Sequence, residues 1–354
     1  MAFTEFGSGD AQAVKRWSEQ LMRESFGKMG IRSMIGRGPT ACIQMLTDLD
    51  KSAGDEVRYD LLVQDRSDGV NGDSKLKGFE TALTYYQDVL KINQKRHAHA
   101  FKGMSQQRTV HDLRRDGRFS LSEWWAWFME AGLFAHLAGY VGTGNEQVGG
   151  ALGASAPGDT DFASNTVTAI DAAHLVNTGA AFTATDIDDA VAKAKVQNPR
   201  VAPLKIGGAD KYVLYMHPYS VRSLRIDTGA DGWLTIQQNA GVRGSKNPIY
   251  TGALGEYNGV ILRESEFIPR DTATPTNHNI LLGQGAGTIA FGNAWAKGGR
   301  GAGGGTFFNW REETEDYGNE QGVAGISCLG YKGTQFNSAA FGRIVIQSDD
   351  PAVT

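Results

Sequence analysis

The stretch HNILLGQGAGTIAFGNAW, residues 278–295, places glycines at 283, 285 and 287. Its segment Gly285–Ala290 fits the spacing of a dinucleotide-binding turn. Such a turn follows a strand and opens a helix whose N-terminus faces the pyrophosphate. NILLG suits the strand, but TIAFGNAWAKGG is too short and too β-like for the helix, and no βαβ unit surrounds it. In a chain with 46 glycines the pattern alone has little weight. The simpler reading is a strand that bends where another backbone comes close. No GxxxxGK[ST] loop, HExxH pair or GxSxG elbow occurs, so the phosphate, zinc and nucleophile-elbow chemistries they carry are not indicated.

Other residues with chemical capacity are equally incomplete. His97 and His99 share a face if extended, but no nearby Cys or further ligand set makes them a metal site. Asp48 and Asp50 resemble the start of a calcium loop, yet Ala53 stands where that loop needs glycine. Glu312, Glu313, Glu315 and Asp316 could pair as acid and base, but on a strand they read as a solvated or intersubunit face. Trp124, Trp125 and Trp127 could stack bases or sugars; a helix core with one edge meeting a second surface is the better account. Cys42 and Cys328 have no CxxC spacing, so no disulfide framework is indicated and a reducing compartment is the default. No catalytic, cofactor-binding or metal-ligating set results, and no cofactor is expected.

The elements that carry these residues are mixed α and β. Residues 1–55 look like an arm, with a helix whose Val14, Trp17, Leu21 and Phe26 lie along one side, followed by an extended segment. Residues 56–103 read as a long hairpin. Val57, Tyr59, Leu61 and Val63 alternate onto one face, and Asp68-Gly69 and Asn71-Gly72 are turn signals near its tip. Arg58, Asp60, Arg66, Lys75 and Lys77 stud it with charge. Two strands alone are marginal in water, so the ribbon needs its own body or another molecule. Residues 104–140 give the strongest helical signal, with a capping box at Ser120–Glu123 and an apolar stripe from Leu121 to Ala135. Residues 141–180 read as loops and short strands. TATDIDDAVAKAKVQNP is a helix stopped by Pro199, KYVLYMHPYSVRSLR a strand that turns into a helix at Pro218, and DGWLTIQQNA a short helix. Asn258-Gly259 is a hairpin turn. GGRGAGGG, residues 298–305, is a flexible connection before three closing strand-like runs.

The length allows two domains, and 41% hydrophobic residues allow a sizeable core. The net charge of −4 excludes a global basic field for tight nucleic-acid binding. Residues 1–120 carry 19 Lys+Arg against 16 Asp+Glu, so the front is mildly basic and the remainder acidic. That asymmetry could attract copies head to tail, or be scatter. MAFTEFGSGD does not read as a signal peptide, and no membrane span is expected.

QMLTDLDKSAGDEVRYDLLV, then LKGFETALTYYQDVLKINQKRHAHAFKGMSQQRTVHDLRRDGRFSLSEWWAWF, YVLYMHPYSVRSLR and NPIYTGALGEYNGVILRESEFIP together resemble the N4-like phage major capsid proteins. The resemblance implies the HK97-like capsid fold of tailed phages, an α+β fold. By segment it implies an N-terminal arm at 1–55, an extended loop at 56–103, a peripheral domain with a long spine helix at 104–180 and 298–354, and an axial domain at 181–297. It implies hexamers and pentamers in an icosahedral head around packaged double-stranded DNA, a portal at one vertex, scaffold or decoration proteins, and assembly in the bacterial cytoplasm. DNA would be held weakly and without sequence specificity. Some relatives carry a cleaved N-terminal scaffolding segment, for which there is no room before Trp17. Some crosslink a loop lysine, and nothing marks a partner for Lys75 or Lys77. The expected intersubunit surface is Val57, Arg58, Tyr59, Asp60, Leu61, Val63, Arg66, Lys75, Lys77, Trp17, Trp124 and Trp127. The alternatives are a cargo nanocompartment shell of the same fold and a nucleotide-using enzyme at residues 283–290.

Overall fold

The computed structural model describes residues 11–47, 54–62, 69–140, 167–197, 199–227, 255–271, 274–292 and 308–352, with side chains from Gln20 onward. The expected short helix in DGWLTIQQNA, the 298–305 connection, and Asp48, Asp50, Val63 and Arg66 lie outside the described residues. So does the side chain of Trp17, whose backbone is in helix α1, Ala11–Lys28.

Two sheets organise the chain. The first has the path β1 (Ile35–Gly36), β2 (Ile43–Leu46), β12 (Gly287–Gly292), β14 (Glu320–Gly333) and β13 (Phe308–Glu315), with β5 (Asn93–Lys102) also pairing to β14. The second has the path β6 (Leu175–Asn177), β17 (Arg343–Asp349), β11 (Thr276–Leu282), β8 (Ala209–Met216), β10 (Val260–Glu264) and β9 (Glu256–Tyr257), with β7 (Leu204–Ile206) beside β8. A separate ribbon pairs β3 (Glu56–Leu62) with β4 (Tyr85–Lys91), and a small pair joins β15 (Gln335–Phe336) to β16 (Ala339–Ala340).

After the short helix α2, Gly103–Arg108, helix α3, Leu113–Ala138, ties the sheets together. It begins seven residues before the expected capping box. Asp112 is its N-cap and accepts from the amides of Arg114 and Arg115; a carboxylate at this position satisfies amides that have no intrahelical acceptor. Ser120 is therefore inside the helix. Gly139, left-handed at φ 60°, ends it. From Phe128 to Ala138 every residue is buried, because α3 lies on β14 at one end and reaches β8 at the other, where Phe134 meets Tyr215 edge-on at 5.2 Å.

The second sheet is covered on both faces, which explains its continuous apolar runs. Along β8, Val213 and Tyr215 join the core under α3. Tyr212, Leu214 and Met216 face the other way. There they meet Ile187, Val191 and Ala194 of α4 (Ala184–Val196) and Val221 and Leu224 of α5 (Pro218–Ile226). Pro218 opens α5 as expected, and the Tyr219 amide donates to His217 Nδ1 at 3.2 Å. Asn258 and Gly259, both at positive φ, make the tight turn between β9 and β10.

Several segment expectations are corrected. The hairpin does not run to residue 103: β5 leaves it after Ile92 and pairs with β14 from Asn93↔Leu329 to Lys102↔Glu320. The last strand does not return beside β13 and β14; β17 lies between β6 and β11 in the second sheet. Conversely, β12 lies in the first sheet although its neighbour β11 lies in the second. The chain crosses between sheets at residues 283–286. The N-terminal segment packs on the body from Gln20 onward. Leu21, Ile31 and Ile43 are fully buried, and the Glu130 carboxylate accepts from the amides of Gly30 and Ile31 at 3.1 Å each.

Candidate intersubunit surface

The β3–β4 ribbon shows how the chain divides its own contacts from those it leaves open. The register pairs Val57 with Leu90, Tyr59 with Asp88, and Leu61 with Tyr86 on one face. That face turns to the body. Val57 and Leu90 pack with Leu46 and Ala290, and Tyr59 meets Phe336 edge-on at 6.0 Å. Asp88 sits at the root, almost fully buried. It accepts from the Tyr59 hydroxyl at 2.6 Å, Lys332 Nζ at 2.5 Å and the Gln335 amide at 3.1 Å. The ribbon is thus bound to β14 and β15 by a buried ion pair with hydrogen bonds on every side. Burial, and then the adjacent Asp88 charge, push the Tyr59 hydroxyl far above its ordinary pKa, so it stays a donor.

The alternation expected for Val57, Tyr59 and Leu61 is therefore present, but Val57 and Tyr59 are engaged by the chain's own body. Support from within was the open alternative, and the register chose it. The opposite face carries Arg58, Asp60 and the facing pair Leu62 and Tyr85. Arg58 folds onto Glu56 at 2.8 Å; Asp60 is exposed. Beyond the paired strands, residues 69–84 carry Leu76, Phe79 and Leu83, which are 60%, 72% and 67% exposed. Lys75 and Lys77 are exposed beside them. Five of the large exposed hydrophobic side chains, Leu62, Leu76, Phe79, Leu83 and Tyr85, thus lie on the ribbon and its distal loop. Sequence reasoning missed all five; Leu62 fell on the face opposite the expected Val57, Tyr59 and Leu61. The signal for the other four was apolar residues at 76, 79, 83 and 85 without strand alternation, in a segment that the charges made look solvated.

The tryptophans are also largely used within the chain. Trp125 is buried against Phe308 at 4.9 Å. Trp124 is half-buried, stacked between His97 of β5 at 4.3 Å and Phe128 at 5.1 Å. Trp127 is half-buried against the same core. His97 is a stacking partner, its pKa lowered by burial and by His99. Among the described residues no group of three or more His, Cys, Asp or Glu could hold a metal. Glu312 accepts from Arg114 at 2.7 and 2.9 Å and from Trp310 Nε1 at 2.6 Å, tying β13 to the start of α3. Glu313 and Glu315 are exposed. Cys42 and Cys328 are buried and form no disulfide, and burial pushes the Cys42 thiol up to about 12.

The glycine turn at 283–287 has a structural explanation. The amides of Gly283, Gly285 and Gly287 donate to Gly342, Ala41 and Cys42 carbonyls, and strand β12 follows rather than a helix. A Cβ on Gly283 would sit 2.5 Å from the Ala202 carbonyl oxygen. The glycines let backbones meet where the chain passes between sheets, and their amides are not directed at a phosphate.

Residues 5–349 match the model of the family described as phage capsid protein. The chain belongs to the phage capsid protein family. This capsid protein is 26% identical to the major capsid protein of Pseudomonas phage KPP25, over 95% of its own length and 93% of the relative's. It superposes on the capsid of Ralstonia phage GP4 with a TM-score of 0.73 and 31% identity, covering 100% of both chains. The cyanophage Pam1 capsid shares the fold, with a TM-score of 0.70 at 19% identity and coverage of 99% and 97%. The fold of this capsid protein is the HK97-like one, and its role is that of a tailed-phage major capsid protein, structural rather than enzymatic.

Proposed function

We propose that this capsid protein closes head to tail into pentamers and hexamers of an icosahedral head around packaged double-stranded DNA. The β3–β4 ribbon and its loop would lie across the adjacent subunit. The observation that carries this is the contrast along the ribbon: a root locked by Asp88 and Lys332, and an outer part whose Leu62, Leu76, Phe79, Leu83 and Tyr85 are uncovered. Covering those five half-exposed side chains would contribute on the order of 5 kcal/mol of gross apolar burial, from which the cost of ordering the contact is subtracted. Many such contacts per subunit then add through avidity. A heterologous contact of this kind closes into rings.

In this reading the first sheet with α3 forms the peripheral domain and the second sheet with α4 and α5 the axial domain, with β12 counted to the former and β6 and β17 to the latter. The net charge of −4 supports weak, non-specific contact with DNA. One vertex would serve a portal, with scaffold or decoration proteins as further partners and the bacterial cytoplasm as the place of assembly. Membership of the N4-like branch belongs to this proposal and rests on the ordered motifs.

The test is a Leu76→Ser, Phe79→Ser, Leu83→Ser variant, examined by electron microscopy and sedimentation. It should remain folded, with the parent's unfolding midpoint, and form no shells. Shells of normal yield and shape would overturn the role given to the ribbon.

A further inference from the structure

The β13–β14 hairpin closes through a turn that holds a bulky aromatic residue at positive φ. Asp316 and Tyr317 both have positive φ, 48° and 52°, followed by Gly318 at 95°. Two consecutive non-glycine residues in the left-handed region are uncommon, and a bulky one is costly there. Strain of this kind persists where surrounding structure over-determines it. The turn is held firmly. The Asn319 amide donates to Asp316 O at 3.0 Å, Asn319 Nδ2 to Asp316 Oδ2 at 3.1 Å, and the Gly103 amide to Asn319 O at 2.8 Å. Lys102 pairs with Glu320 at 3.2 Å below it. Tyr317 takes no part in these contacts and its side chain is fully exposed, at 109%. Its flank is acidic, with Glu313, Glu315 and Asp316 exposed. The result is a rigid turn presenting one aromatic ring in an acidic setting.

A cleft of about 520 Å³ at the start of α3 is lined by two apolar residues, two acids, two arginines and a histidine. Val110, 102% exposed, and Phe119 form apolar walls. Of its acids, Asp112 caps the helix and Asp116 faces His111 at 3.8 Å. Arg118 is turned to Gln20 and Glu24. Arg115 is exposed, with no ion pair among the described residues. Tyr317 is bare in its own chain, so that chain's cleft does not hold it.

We infer that the Tyr317 turn of one subunit seats in the 110–119 cleft of a second copy, its ring between Val110 and Phe119 and its acids facing Arg115. The inference rests on the shell reading above, and it names a contact separate from the β3–β4 ribbon. An amphipathic ring on a rigid turn suits such a contact, because little side-chain freedom is lost when it binds.

The test uses assembled particles of the full chain with benzoylphenylalanine in place of Tyr317. Irradiation and peptide mapping should join position 317 to residues 110–119 of another copy. A crosslink elsewhere, or none, overturns the inference while the particles uphold the shell reading. A parent that forms no assemblies overturns both. A second arm separates the contact from folding. Tyr317→Gly relieves the backbone, so its melting temperature should equal or exceed the parent's, yet its critical assembly concentration should rise about tenfold. Arg115→Glu should weaken assembly similarly, and adding Glu315→Arg should recover most of the loss. Independent, additive effects of the two charge changes would refute the assigned pairing.

Discussion

Replacing Asp88 with alanine tests whether the ribbon is held by its buried root. The carboxylate is 7% exposed and the side chain of Lys332 only 14%. Asp88→Ala leaves the ammonium without its partner and takes the acceptor from the Gln335 amide and the Tyr59 hydroxyl. Breaking a buried pair from one side costs about 3–5 kcal/mol. Here the flexible lysine stem can carry its charge towards water, and Tyr59 retains Thr288 at 3.2 Å. We therefore expect a loss of about 3 kcal/mol, with about 1 kcal/mol of it from the orphaned Gln335 amide. Urea unfolding of the purified protein measures it. Hydrogen exchange should quicken in residues 56–62 and 85–91 before the α4–α5 core responds. The paired variant Asp88→Leu, Lys332→Met should lie within about 1 kcal/mol of the parent, since removing both charges removes the desolvation cost as well. A loss under about 1 kcal/mol for Asp88→Ala, or unchanged exchange in the ribbon, would show that apolar packing alone holds it.

Two further perturbations address the core. A Cβ at Gly132 would lie 2.1 Å from the Tyr331 hydroxyl oxygen and 2.6 Å from its ring. Gly132→Ala should thus destabilise by roughly 1–3 kcal/mol in thermal unfolding despite alanine's better helix propensity, and Tyr331→Phe should restore only part of the loss. Asp350 is buried, and burial by itself would raise its pKa. The Phe182 amide and the hydroxyls of Ser223, Ser220 and Ser348 outweigh this and hold the carboxyl below its ordinary value. A depressed carboxylate contributes stability above its unfolded pKa and loses it as pH falls through the folded one. Asp350→Asn should therefore be less stable than the parent at neutral pH, and the gap in unfolding midpoint should close as pH falls below about 4; a gap independent of pH would contradict the role given to its charge.

The sequence by itself determined what local rules control. The α4 and α5 helices, the Asn258-Gly259 turn and the alternation of Val57, Tyr59 and Leu61 each follow from residue spacing, capping and turn chemistry over a few residues. The ordered motifs carried the family. Tertiary structure alone decided partnership. Val57 and Leu90 face their own body because Ala290, some two hundred positions on, is brought there beside the nearby Leu46. The β17 strand lies in the second sheet because it pairs there with β6 and β11, partners that its own residues do not name. The capping box at Ser120 misled because Asp112 offers a carboxylate where the helix in fact begins. Local patterns state that a face must be covered; which surface covers it depends on contacts between residues tens to hundreds of positions apart, which no short-range periodicity encodes.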